Sequence, residues 1–240
     1  MSAISNKEIL RVINETLGTE TAKTTKPHAL NESYVLQPKS YEIRTDILSQ
    51  KSVSANIKDF EETVKICNQV SAQLDSADRS VANPKETTFR DLKMAEGYNL
   101  CDAFLTSTHL DNIADPNSKV VMDSLAYLRL SRDFGTFEDW QKDFIACALS
   151  ARDGFVVTVF NGSLNRYMNV IEDDSSNFSM YNCYPVISLC VKERWYFRDY
   201  LNDRRSYVYA MMKELNWVLI EERFKRADKL AKLLSSPLGG

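Results

Sequence analysis

The amino-acid sequence predicts an α+β fold in which an antiparallel helical hairpin precedes a domain of short strands enclosed by helices. Apolar residues recur at helical spacing at Ile57, Phe60, Val64, Cys67 and Leu74, and again at Phe89, Leu92, Ala95 and Ala103. Three runs suited to strands follow, at residues 154–160, 166–172 and 184–191. Beyond Lys192 the pattern returns to helix and ends in an amphipathic stretch over residues 217–234.

Taken in order, residues 1–40 form an N-terminal arm. Ile9, Leu10, Val12, Ile13 and Leu17 suggest a short amphipathic helix there, and Glu8, Glu15 and Glu20 argue against a plain transit peptide. Residues 24–40 carry Pro27 and Pro38 and lack periodicity, so they extend across either the same chain or a partner. The hairpin domain spans residues 41–115. Its first helix is expected from about Ile43, its connection at residues 76–84, and Tyr98 and Phe104 near the inner face of its second helix.

The C-terminal domain, residues 116–240, begins near Ser118 with a helix expected to contain Val121, Met122, Leu125 and Leu128. Thr136 can cap the next helix, with Asp139 near its positive end and Phe137, Trp140, Phe144, Ile145 and Leu149 facing inward. Between the second and third strands lies a polar hairpin, residues 173–182, suited to a contact loop. In the last helix Ile220, Phe224, Ala227, Ala231 and Leu234 face inward. Lys225, Arg226, Lys229 and Lys232 make a basic strip diluted by Glu221, Glu222 and Asp228; it reads first as a solvated face and second as an RNA or partner contact.

With 240 residues, 44 % hydrophobic and 10 % aromatic, the chain can bury a full core. Cys67, Cys101, Cys147, Cys183 and Cys190 show no framework spacing, which fits reduced thiols better than a disulfide scaffold. No apolar run approaches the roughly 20 residues of a membrane span, so no membrane insertion is expected. A net charge of −3 argues against extensive binding to nucleic-acid backbone. His28 and His109, the two histidines, sit in no metal-ligand spacing, and the seven glycines form no phosphate loop.

Residues 184–224 carry Glu193, Tyr196, Asp199, Tyr200, Asn202, Arg204, Tyr207, Asn216, Trp217, Arg223 and Phe224 in an order that resembles the C-terminal core of iron/manganese superoxide dismutases. The run Asp133-Phe134-Gly135-Thr136-Phe137-Glu138, followed by Trp140, Phe144, Gly154 and Phe155, is similar to that family's Asp-Phe-Gly-Ser-Phe helix and Gly-Trp strand. Ala95-Glu96-Gly97-Tyr98-Asn99-Leu100 resembles Ala-Gln-x-Trp-Asn-His. Residues 52–60 can be laid over the family's His-rich helix, with Phe60 at its gateway Tyr.

The resemblance implies a three-stranded antiparallel sheet, and metal-ligand positions at Ser52, Leu100, Cys190 and Arg194. Leucine has no lone pair and a guanidinium stays protonated, so these four cannot form the N/O ligand set that a redox-cycling ion requires. The expectation is no metal, no cofactor and no catalytic residue: not an enzyme. Ligand-free chains similar to superoxide dismutase occur in the mitochondrial small ribosomal subunit, and this sequence resembles them. That resemblance implies a structural subunit in a large assembly in the mitochondrial matrix, paired with a copy or a diverged paralogue near Glu193 and Arg194, with room for a peripheral rRNA contact. An acidic pI of about 5.6 points to mainly protein contacts. Two other roles stay open: an accessory subunit of another large mitochondrial assembly such as a respiratory complex, and a residual metalloenzyme with a rearranged site.

Overall fold

The computed structural model describes residues 33–113, 115, 117–173 and 182–234. Its elements run α1 (Gln50–Asp75), α2 (Thr88–Asn112), α3 (Leu125–Phe134), α4 (Phe137–Ser150), β1 (Gly154–Asn161), β2 (Arg166–Asp173), β3 (Cys183–Cys190), α5 (Glu193–Tyr200), α6 (Arg204–Met211) and α7 (Trp217–Leu234). The expected α+β arrangement is present: α1 and α2 form the hairpin, and the strands form one antiparallel sheet in the order β2-β1-β3.

Caps explain where the helices begin. A side-chain oxygen that accepts a bond from an amide of the first turn satisfies a donor the helix itself cannot. Ser49, Thr87, Ser124 and Thr136 do this for α1 to α4 by accepting from the amides of Ser52, Arg90, Tyr127 and Asp139. The first helix therefore starts at Gln50 rather than at Ile43. The helix expected from Ser118 starts only at Leu125, where Glu221 of α7 reinforces the Ser124 cap by accepting from the amides of Leu125 and Ala126 at 3.0 and 2.9 Å. Val121 and Met122, expected within it, precede it and are exposed, as is Leu128; Ala126 and Leu130 make the buried face instead. Gly135, at φ 97°, turns α3 sharply into α4, a left-handed conformation that glycine adopts without strain.

The middle strand, β1, is buried along its whole length between its two neighbours. Its Thr158 accepts from the Trp140 indole at 3.0 Å and donates to Asn169 at 2.7 Å, pinning α4 to the sheet through groups that burial would otherwise leave unsatisfied. The returning hairpin helix is buried mainly from Ala103 onward. Phe89, Leu92 and Ala95 are only half-buried, because β3 and α7 meet the C-terminal half of α2. Phe60, at the position matched to the gateway Tyr, is buried and meets the Tyr41 ring edge-on at 5.8 Å.

The described end of the arm lies on its own hairpin. The Tyr34 amide donates to Ser71 Oγ at 2.7 Å, Leu36 exchanges backbone bonds with the Asn68 side chain, and the Tyr41 hydroxyl meets Ser107 Oγ at 2.7 Å. The amphipathic stretch around residues 9–17 and residues 174–181 of the polar hairpin lie outside the described residues. No helix among the described residues is long and apolar enough to cross a membrane.

Candidate metal-site region

Of the four positions proposed for metal ligands, Ser52 and Arg194 border one cavity. It has a volume of about 540 Å³ and lies between the start of α1 and the start of α5, with Asn56 and Glu193 on its walls. Ser52 is buried in the first turn of α1, with its Oγ 3.2 Å from Ser49 Oγ. Its hydroxyl, with the Ser49 side chain and amide, also serves Asp199. Burial alone would raise that carboxyl, but these hydrogen bonds outweigh it and hold Asp199 below the usual range. Arg194 turns outward, 59 % exposed, and pairs with Asp59 of α1 at 2.9 Å.

Cys190 ends β3 with no exposed surface, and burial pushes its thiol up to about 12. A thiol that stays protonated at neutral pH is a poor ligand and a poor nucleophile. The Cys190 carbonyl accepts from the buried Tyr207 hydroxyl at 2.8 Å, which fixes the strand end against α6.

Neither Cys190 nor Leu100 joins Ser52 and Arg194 at that cavity. Leu100 lines a separate apolar cavity of about 410 Å³ with Phe104, Val157, Val159, Val170 and Pro185. Helical phase is the reason. The face of α2 that meets β3 and α5 carries Asp102, Leu105, His109 and Asn112, spaced by three and four residues. Leu100 lies about 200° around the helix from Asp102, so its side chain leaves in another direction.

Side chains outside the four ligand positions fill the space where the hairpin meets β3 and α5. The Trp195 indole donates to Asp59 Oδ2 at 3.0 Å, and the Trp195 carbonyl accepts from Asn56 Nδ2 at 3.1 Å. The ring meets His109 edge-on at 5.3 Å between centroids. His109 is fully buried and neither ring nitrogen has a hydrogen-bond partner. The neighbouring Ser188 carbonyl already accepts from Asn112 Nδ2 at 2.8 Å. Burial dominates, against a weaker opposing pull from the Ser188 backbone that lies near the ring without hydrogen-bond geometry, and depresses His109 to about 4, leaving a neutral imidazole. Beside this cluster Lys192 pairs with Asp102, and its ammonium lies 5.0 Å from the centre of the Phe155 ring. Nothing local in the sequence marks the Lys192–Asp102 pair or the role of Trp195.

Iron or manganese does not fit these residues. Among the described residues no group of three or more His, Cys, Asp or Glu side chains is placed to hold a metal ion. The side chains at the four positions supply a protonated thiol, a hydroxyl, a guanidinium and a hydrocarbon, and no reaction step is derived through an ion there.

The remaining candidates lie on the surface. Glu193 is exposed at the start of α5, with its amide donating to Asp153 at 3.2 Å. Lys225, Arg226, Lys229 and Lys232 are exposed along α7, where Lys225 pairs with Glu222 at 2.7 Å.

Residues 124–223 match the family described as "Iron/manganese superoxide dismutases, C-terminal domain". Manganese superoxide dismutase 1 of Halobacterium salinarum is 34 % identical over 99 residues, 41 % of this chain and 49 % of that protein. The match therefore spans about half the length of that relative. The iron superoxide dismutase of Aquifex aeolicus is 24 % identical over 209 residues, 86 % of this chain and 96 % of that protein. That of Cupriavidus metallidurans is 27 % identical over 183 residues, 75 % and 90 % of the two chains.

These relatives correct the expectation that the chain is not an enzyme, because each bears the name of an enzyme. The physical reason for the error is one of scope. Replacing ligands at four chosen positions describes those positions and does not decide what the rest of a chain can catalyse.

Proposed function

We propose that this chain, whose residues 124–223 match the C-terminal domain of iron/manganese superoxide dismutases, uses its fold for its surfaces, as a structural subunit of the mitochondrial small ribosomal subunit in the matrix. The observation that carries this reading is the pairing of Arg194 with Asp59, which turns a permanent cation at a ligand position away from the interior, while Trp195 and His109 pack the space behind it. The exposed ends of α5 and α7 then supply contacts: Glu193 and Arg194 beside the half-exposed Phe197 for a copy or a diverged paralogue, and the α7 basic strip for peripheral rRNA.

Fractionating native extract by size before and after ribonuclease tests this. Comigration with the small-subunit particle, lost on digestion, is expected. Migration with a membrane complex and no RNA would instead identify an accessory subunit of another assembly. A second reading, a metalloenzyme with a rearranged site, is favoured by the names of the relatives. Its signature is stoichiometric metal in the purified native protein together with superoxide-dependent turnover.

A further inference from the structure

A second cleft, of about 370 Å³, opens between α3, α7 and the β1–β2 hairpin, away from the region just described. Arg129, Arg132 and Lys232 line it against a single carboxylate, Asp228, with Phe160 on its apolar side. The Tyr167 hydroxyl is buried at this cleft and has no hydrogen-bond partner, although its ring is anchored by stacking on Phe224 at 4.6 Å. Its charged neighbours, in order of influence, are Asp228, Arg129, Arg132 and Asp133, the members of two ion pairs. Burial keeps the phenol protonated, so it is available as a donor.

An unsatisfied buried hydroxyl is costly unless something completes it. The groups around it show what would. Arg129 engages Asp228, and Arg132 engages Asp133, each through Nε and Nη2, so these bonds fix both guanidinium planes and leave the Nη1 donors outside the forks. Asp133 is fixed in turn by the Tyr167 amide at 2.7 Å. Fixed guanidinium donors and a neutral hydroxyl lining one cleft match a multivalent oxyanion, which offers several acceptors to planar donors.

We propose that this cleft binds a phosphate group, held by the Nη1 groups of Arg129 and Arg132 and by the Tyr167 hydroxyl. Its source is either a nucleic-acid backbone or a free phosphate, and the two share the same recognition chemistry. The proposal does not rest on the ribosomal reading, because the cleft lies apart from Glu193 and Arg194 and would bind inorganic phosphate whatever assembly holds the chain.

The test titrates the full chain calorimetrically with inorganic phosphate, and separately with a single-stranded RNA oligonucleotide, at constant ionic strength. Tyr167→Phe and Arg132→Gln are the diagnostic variants, each checked for an unchanged melting profile. Saturable binding weakened about tenfold by either variant is expected. Phosphate binding without RNA binding assigns a free phosphate. RNA binding displaced by phosphate and weakened by Tyr167→Phe assigns a backbone phosphate. RNA binding that responds to Lys225→Gln and Lys229→Gln but not to Tyr167→Phe overturns the proposal in favour of the α7 strip. Failure of millimolar phosphate and of RNA to bind, or equal affinity in Tyr167→Phe, also overturns it.

Discussion

Lys192, just past the end of β3, reaches Asp102 in the middle of α2, and the two opposite charges keep only 4 % and 11 % of their side-chain surface exposed. The pair ties the sheet to the hairpin at the level of Cys190. A buried ion pair of this kind adds little net stability, because desolvation offsets the attraction, but removing one partner strands the other charge.

Lys192→Met is accordingly expected to destabilise the fold by roughly 3–5 kcal/mol, and Asp102→Leu by a similar amount. The double variant should recover most of the loss, since it buries no unpaired charge. Urea denaturation of the three variants checks this. Additive losses in the double variant would show that the charges do not depend on each other.

His109 makes stability depend on pH. In the unfolded chain its ordinary value is near 6.5, and in the fold it is about 4, so the unfolded state takes up a proton first. Its contribution is fully present above about 6.5 and falls as pH drops toward 4, a loss of about 3 kcal/mol in all. His109→Leu should flatten that window, and should cost little at pH 7 because neither ring nitrogen has a partner to lose. Melting curves of both proteins across this range measure the difference.

Glu221 caps α3 from across the core, where its two carboxylate oxygens accept from Leu125 and Ala126. Glu221→Ala removes both acceptors and leaves two amides of the first turn unpaired, an expected loss of about 1–2 kcal/mol. Hydrogen exchange at Leu125 and Ala126 should quicken with it, while the amides of α1 stay protected. Uniform loss of protection would point to global rather than local loosening.

Much of the fold was legible because core packing imposes a period. Phe60, Val64, Cys67 and Leu74 are all buried, and strand boundaries came within a residue because each strand is a short, mostly apolar or alternating run. Helix starts were harder, since they depend on single caps. Apolar Val121 and Met122 extended the apparent helix backwards, but Ser124 begins it and both stay in solvent. At the candidate site, the positions of Cys190, Arg194 and Leu100 came from resemblance and not from any local pattern; Cys190 lies at the end of β3 and Arg194 in the first turn of α5. The direction of Leu100 depends on which face of α2 the sheet meets, which no local pattern gives. The pairs Lys192 with Asp102 and Trp195 with Asp59 join residues 90 and 136 positions apart, and no local pattern announces such contacts.

Gly154 shows how the sheet itself resists change at its first paired position. It opens β1 opposite Asp173, and a Cβ added there would lie 2.0 Å from the Glu172 carbonyl oxygen. That oxygen belongs to backbone, so the clash cannot be relieved by a side-chain rotation; the β1–β2 pairing must shift. The Gly154 carbonyl also accepts from the Val191 amide at 2.8 Å, which couples any shift to the strand end beside Lys192. Gly154→Ala is therefore expected to cost roughly 2–3 kcal/mol, the range for strain at a close backbone approach. Gly162→Ala is the matched control, because its nearest neighbours are atoms of the Asn182 side chain, which can rotate away. Chemical denaturation of the two variants should rank Gly154→Ala well below Gly162→Ala, and equal stabilities would show that the β1–β2 register yields more easily than this geometry implies.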